Sequence, residues 1–222
     1  MSTSLLLAGA TGLVGSSVLE QALAEPHVER VIVVGRRPLP EHPKLEQWVR
    51  ADLQEALRPQ RADAVICCLG TTIRNVGGDR NKFIHVDKDL VLSLGRWAKE
   101  QGVASMAVVS AIGADARSGI FYNRVKGETE DDLRALDLSA LHLFQPSILT
   151  GPRNEKRPGE RAGILVAELL APLMVGGLRK YRPMPHERLA RALLYAARSG
   201  ASGVHVHTYD AIMGMAAQNT TR

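Results

Sequence analysis

Residues 4–24, SLLLAGATGLVGSSVLEQALA, pass from an apolar run into three glycines set three residues apart and then into a helical pattern. A strand that must turn at once into a helix has a separate use for each glycine. Gly9 permits the tight turn, Gly12 lets the backbone come close to a bound pyrophosphate, and Gly15 lets the helix pack against the strand. The free N–H groups at the start of that helix attract an anion. Two residues fill the first gap, so the spacing departs from the usual G-x-G-x-x-G. Its place between the first strand and the first helix nevertheless makes GATGLVG read as a dinucleotide-binding loop.

Outward from this unit, β-rich apolar runs recur at RVIVVGR (30–36), DAVICCLG (63–70), MAVVSA (106–111), ALHLF (140–144) and GVHVHT (203–208), with a weaker one at QWVRAD (47–52). Helical patterns lie between them, over 13–24 and 122–136, and Phe83, Val86, Leu90, Leu94 and Trp97 repeat at intervals of three or four, which predicts one buried helix face. Strands apolar throughout and separated by helices predict an α/β fold of the doubly wound Rossmann type, a parallel sheet with helices on both faces. One domain over residues 1–222 is expected. The proline-rich segment 146–187, with a single helical stretch at 162–178, breaks the rhythm after the sixth strand and reads either as a lid over the cleft or as a surface excursion.

The composition, 45% hydrophobic and 23% charged over 222 residues, is that of a globular protein. No run is long enough to span a membrane and no leader pattern opens the chain, so a cytoplasmic location is expected. The net charge of +5 comes from scattered cations, which points to a solvated surface and away from a nucleic-acid partner. Cys67 and Cys68 are adjacent and read as reduced packing residues. His205 and His207 share a strand face without carboxylate or cysteine partners nearby, so no metal site is expected. His186 reads as a helix cap or lid residue.

Further residues fall where a dinucleotide would lie. The second strand ends VVGRRP, with no acidic residue to grip a ribose 2′-hydroxyl; Arg36 and Arg37 suit a 2′-phosphate, so NADPH is expected over NADH. Asp52, after the third strand, is placed to meet the adenine amino group. Leu69 and Gly70 close the fourth strand, where Gly70 allows approach to a ribose. Ser110 ends the fifth strand, and Tyr122 and Lys126, four apart on a helix, share a face turned to the same edge.

The chain resembles the atypical short-chain dehydrogenase/reductase superfamily in the order Ser110, Tyr122, Lys126. In GATGLVG, VVGRRP, CCLGTT, VDKDLVL, VSAIGAD, YNRVKGE and RPGE it is similar to the branch related to the Tat-interacting oxidoreductase-like proteins. The resemblance implies that Gly9, Ala10, Thr11, Gly12, Leu13 and Val14 form the phosphate loop, Arg36 and Arg37 the 2′-phosphate clamp, and Leu69 and Gly70 a ribose contact. It places Leu149 and Arg157 near the nicotinamide end or the phosphates, and Tyr122 and Lys126 in the active site. The chain departs from the branch at Thr11 and Leu13, where serine and glutamate stand, and in QPS for RPG. The implied activity is hydride transfer between NADPH and a small carbonyl substrate, with Tyr122 as proton donor, its pKa lowered by Lys126, and Ser110 on the substrate oxygen. Conventional members add an Asn on the fourth helix as part of a water relay; here HVDKD offers His85 and Asp87. An NADPH-binding regulator or adaptor with a protein partner is the alternative.

Overall fold

The computed structural model describes residues 3–151 and 174–218. Its centre is a seven-stranded sheet of β1 (Thr3–Ala8), β2 (Val28–Gly35), β3 (Leu45–Val49), β4 (Ala64–Cys67), β5 (Ser105–Val109), β6 (Ala140–Phe144) and β9 (Gly203–His207), in the order β3-β2-β1-β4-β5-β6-β9. Every neighbouring pair is parallel. The expected strands, the weaker third included, are therefore all present, and the doubly wound α/β architecture is confirmed. β7 (Leu149–Thr150) and β8 (Met184–Pro185) make a separate two-stranded pair.

The period of two along the strands divides the core between the two faces. Leu6, Ala8, Ile32, Val34, Val65 and Cys67 face α2 (Leu53–Ala56), α4 (Leu90–Glu100) and α5 (Phe121–Ala135). Leu5, Leu7, Val31, Val33, Ala64 and Ile66 face α1 (Leu13–Ala24), α6 (His186–Ala197) and α7 (Tyr209–Gln218). Cys67 and Cys68 accordingly pack on opposite faces as free thiols. Burial pushes the Cys67 thiol up to about 11 and that of Cys68 well above its ordinary value, so neither is a ready nucleophile.

The helix expected through Phe83 and Trp97 is not one regular helix. After α3 (Arg80–Ile84), capped by the Asp79 carboxylate on the amides of Asn81 and Lys82, the chain makes a π-helical turn at His85–Asp89 before α4. A wider turn adds a residue per revolution and rotates the side chains beyond it. Phe83, Leu90, Leu94 and Trp97 are buried as expected, but Val86 is only half-buried and Asp87, 1% exposed, turns inward beside it. The proline-rich excursion lies largely outside the described residues. Of its flanks, Met184 is fully buried and a 3₁₀ turn at Gly176–Tyr181 is exposed.

Candidate active site

Sheet order reverses between β1 and β4, and at their carboxyl ends opens a cleft of about 700 Å³. Thr11, Gly12, Leu13 and Val14 line one side of it, Leu69 and Gly70 the floor, Ser110, Tyr122 and Lys126 the far side, and Leu149 and His186 the rim. Residues far apart in the sequence thus converge on one space.

Within the glycine loop, Gly9 makes the tight turn expected of it. Gly9 has φ +86°, and a Cβ there would lie 2.5 Å from the Cys68 carbonyl oxygen. At Gly15 a Cβ would run into the Gly9 carbonyl, so the close packing is of the helix on its own entry loop. Gly12 differs: its φ is −82°, and a Cβ would only touch the Gly9 oxygen at 3.4 Å. Gly12 is the N-cap of α1, which has neither a side-chain cap nor an acidic residue in its first turn. The first amides of α1 thus have no side-chain cap of their own and could meet a ligand anion. Ala10 is buried in the core behind the loop and does not line the cleft.

Across the cleft, Lys126 is buried on α5 with its Nζ 2.8 Å from Asp87 Oδ1. Asp87 Oδ2 accepts the Thr71 N–H at 2.8 Å, which ties the π-helical turn to the loop after β4. The side chains of Lys126 and Asp87 form a close ion pair, 6% and 1% exposed. Burial by itself would depress the Lys126 pKa; the Asp87 carboxylate is the largest influence opposing it, and the lysine is held above its ordinary value.

Tyr122 packs against Phe83, ring centroids 5.7 Å apart. Its pKa runs against the sequence expectation. Burial raises it, Lys126 lowers it, and Asp87 raises it again, so the phenol ends above its ordinary value and not below. The physical reason is first burial, which outweighs the pull of Lys126, and then Asp87, a smaller opposing charge that the Tyr122 and Lys126 spacing alone does not reveal.

Ser110 is buried and its hydroxyl donates to Glu130 Oε1 at 2.5 Å. Glu130, also buried, accepts from Gln145 Nε2 at 2.9 and 3.1 Å and from Arg134 Nη2 at 3.0 Å. Sequence reading missed Glu130, although it lies four residues after Lys126 and therefore on the same side of α5.

The remaining expected site residues are more scattered. Arg36 and Arg37 are exposed after β2, outside the lining of the cleft but at the same carboxyl edge of the sheet. Asp52 caps α2, its carboxylate accepting the Gln54 N–H at 2.8 Å. Arg157 lies outside the described residues. His186 is not a cap: Pro185 occupies that position, and the histidine is the first residue of α6, buried at the cleft with Nδ1 3.0 Å from the Thr150 carbonyl oxygen. Among the described residues no cluster of His, Cys, Asp and Glu is arranged to hold a metal ion, and no helix is long and apolar enough to cross a membrane.

The cleft fits a dinucleotide by its own geometry. The uncapped amides of α1 would hold the pyrophosphate, and Gly70, where a Cβ would stand 3.5 Å from Asp87 Oδ1 and 3.8 Å from Lys126 Nζ, leaves the buried pair open to a ribose. Comparisons with known proteins agree. A family model described as NAD(P)H-binding matches residues 9–158. Protein HTATIP2 of Rattus norvegicus is 34% identical over 164 residues, covering 71% of this chain and 67% of that protein. The mitochondrial protein FMP52 of Saccharomyces cerevisiae is 32% identical over 210 residues, covering 90% and 86%. Among solved structures, MoeE5 in complex with UDP-glucose and NAD superposes with a TM-score of 0.67 at 18% identity, over 98% of this chain and 82% of that one, a likeness of fold. On the family match and the shared sequence of these relatives, the chain belongs to the NAD(P)H-binding family.

Proposed function

We propose that the protein is an NADPH-binding oxidoreductase of the short-chain dehydrogenase type, acting on a small carbonyl substrate. The observation that carries this reading is the convergence of Tyr122, Lys126 and Ser110 on one cleft opposite an uncapped glycine loop. Bound NADPH supplies the hydride. Tyr122, protonated at neutral pH, donates the proton to the substrate oxygen, and Lys126 meets the nicotinamide ribose through the gap at Gly70. Ser110 directs its proton to Glu130, so it offers lone pairs to a substrate hydroxyl and must leave Glu130 to donate to a carbonyl. The preference for NADPH rests on Arg36 and Arg37 at the end of β2 and on the lack of an acidic residue there.

A second reading, an NADPH-binding regulator with little turnover, is favoured by that same engaged serine and by the neutralised lysine. Turnover of NADPH with a panel of aldehydes, ketones and quinones separates the two. For an enzyme, Tyr122→Phe is expected to lower turnover by about 10² to 10⁴ while NADPH affinity measured by calorimetry stays put. Lys126→Met is expected to weaken both. Tight NADPH binding with no turnover across the panel would favour the regulator. A cytoplasmic location is part of the proposal; since the yeast relative is named mitochondrial, cell fractionation decides it.

A further inference from the structure

We propose that Asp87 is a positioning residue that offsets the charge of Lys126 beside Tyr122 and so, together with burial, keeps the phenol protonated, which sets the site for giving a proton. The inference rests on the proposed role of Tyr122 for its functional meaning, though its test does not. Three features of the geometry carry it. The π-helical turn at His85–Asp89 carries Asp87 on its inner side, 1% exposed. The Thr71 amide fixes one carboxylate oxygen, which leaves the other aimed at Lys126 Nζ at 2.8 Å. Both side chains are almost fully buried, where a charge is screened least and where an unmatched ammonium would act strongly on a neighbouring phenol.

The other titratable groups around this pair do not replace Asp87. Cys67, from β4, is held as a neutral thiol by burial. Glu130, from the same helix as Lys126, is engaged by Ser110, Gln145 and Arg134. His186 from α6 is held at the rim by the Thr150 carbonyl and the Glu187 carboxylate. Lys88, on the turn itself, points to Glu128 and Asp132 on the outer side of α5. Asp87 is thus the carboxylate that meets Lys126, and its removal leaves the ammonium acting on Tyr122 alone.

The test is a spectrophotometric titration of tyrosinate in the cofactor-free protein, with the signal of Tyr122 isolated by subtracting the matching Tyr122→Phe variant. Asp87→Asn keeps an oxygen for the Thr71 amide and removes the charge. It is expected to lower the Tyr122 pKa by about one unit or more, a tenfold or greater rise in the phenolate fraction at a given alkaline pH. An unchanged titration would overturn the proposal. Because Asp87→Asn leaves a buried lysine unmatched and can cost folding, the double variant Asp87→Asn, Lys126→Met removes both charges. Its Tyr122 titration is expected to stay within about 0.3 units of the wild type, as the pair is neutral to begin with. A rise of about one unit would mean that the lysine charge reaches the phenol uncompensated, and would sink the idea. Neither measurement needs a substrate, so a protein without turnover could still support it, and an active enzyme could still refute it.

Discussion

Arg36 and Arg37 stand exposed after β2, outside the lining of the cleft, so the 2′-phosphate contact proposed for them can be tested apart from the rest of the site. A charge-assisted contact is worth about 1.5–3 kcal/mol. Replacing both arginines by alanine is therefore expected to weaken NADPH about tenfold or more in calorimetry and to leave NADH nearly unchanged; equal losses would remove the 2′-phosphate clamp. The glycines of the loop divide in a similar way. Gly12→Val meets only a 3.4 Å contact, so the variant is expected to fold, by circular dichroism, and to lose the dinucleotide. Gly15→Val drives a side chain into the Gly9 carbonyl and is expected to lose the fold as well. A Gly12→Val protein that binds NADPH normally would place the cofactor elsewhere.

The strands and α1 were legible because each is a local pattern: an apolar run such as VIVV has no helical period, and LVGSSVLEQALA has one. The π-helical turn was not, since Val86 and Asp87 occupy positions whose exchange depends on one extra residue within a revolution. The site was half legible for the same reason. Ser110, Tyr122 and Lys126 fall at ends and spacings that sequence displays, whereas Asp87 against Lys126 and Glu130 against Ser110 are contacts between distant elements or turn on a side-chain rotamer. Where α5 sits is itself fixed by Gly127, whose missing Cβ lets the helix lie directly on the backbone of Asp115 and Ala116, in the loop beyond Ser110. Gly127→Ala is expected to push the helix off that loop at a cost of about 1–3 kcal/mol, lowering Tm by roughly 2–10 °C and loosening NADPH through Lys126. An unaltered Tm would show that the loop yields freely.

At the scale of the molecule, the sheet closes on β9 through histidines. His142 Nδ1 and His207 Nε2 are 3.0 Å apart, and His205 stacks on His142 at 5.0 Å. Burial, and the neighbouring histidines after it, lower both His142 and His207 to about 4, below the ordinary 6.5. A depressed histidine contributes stability that is present above pH 6.5 and is lost as the pH falls toward 4, because the unfolded chain takes up protons first. Thermal melts are expected to shift down by about 5 °C or more between about pH 7 and pH 5, with the pH dependence reduced in His142→Gln. A flat profile would mean that the pair protonates without strain. The same strand turns its valines outward, Val204 and Val206 being 49% and 46% exposed, so hydrophobicity alone would favour β9 shifted by one residue. The imidazole pair adds a side-chain contact specific to this register to the backbone ladder between β6 and β9. Once protonated the pair repels itself, and β9 is expected to loosen from β6, uncovering a backbone edge as a template for other chains. Acid would then convert a well-finished sheet end into a nucleus for self-association, visible as light scattering before the secondary structure melts.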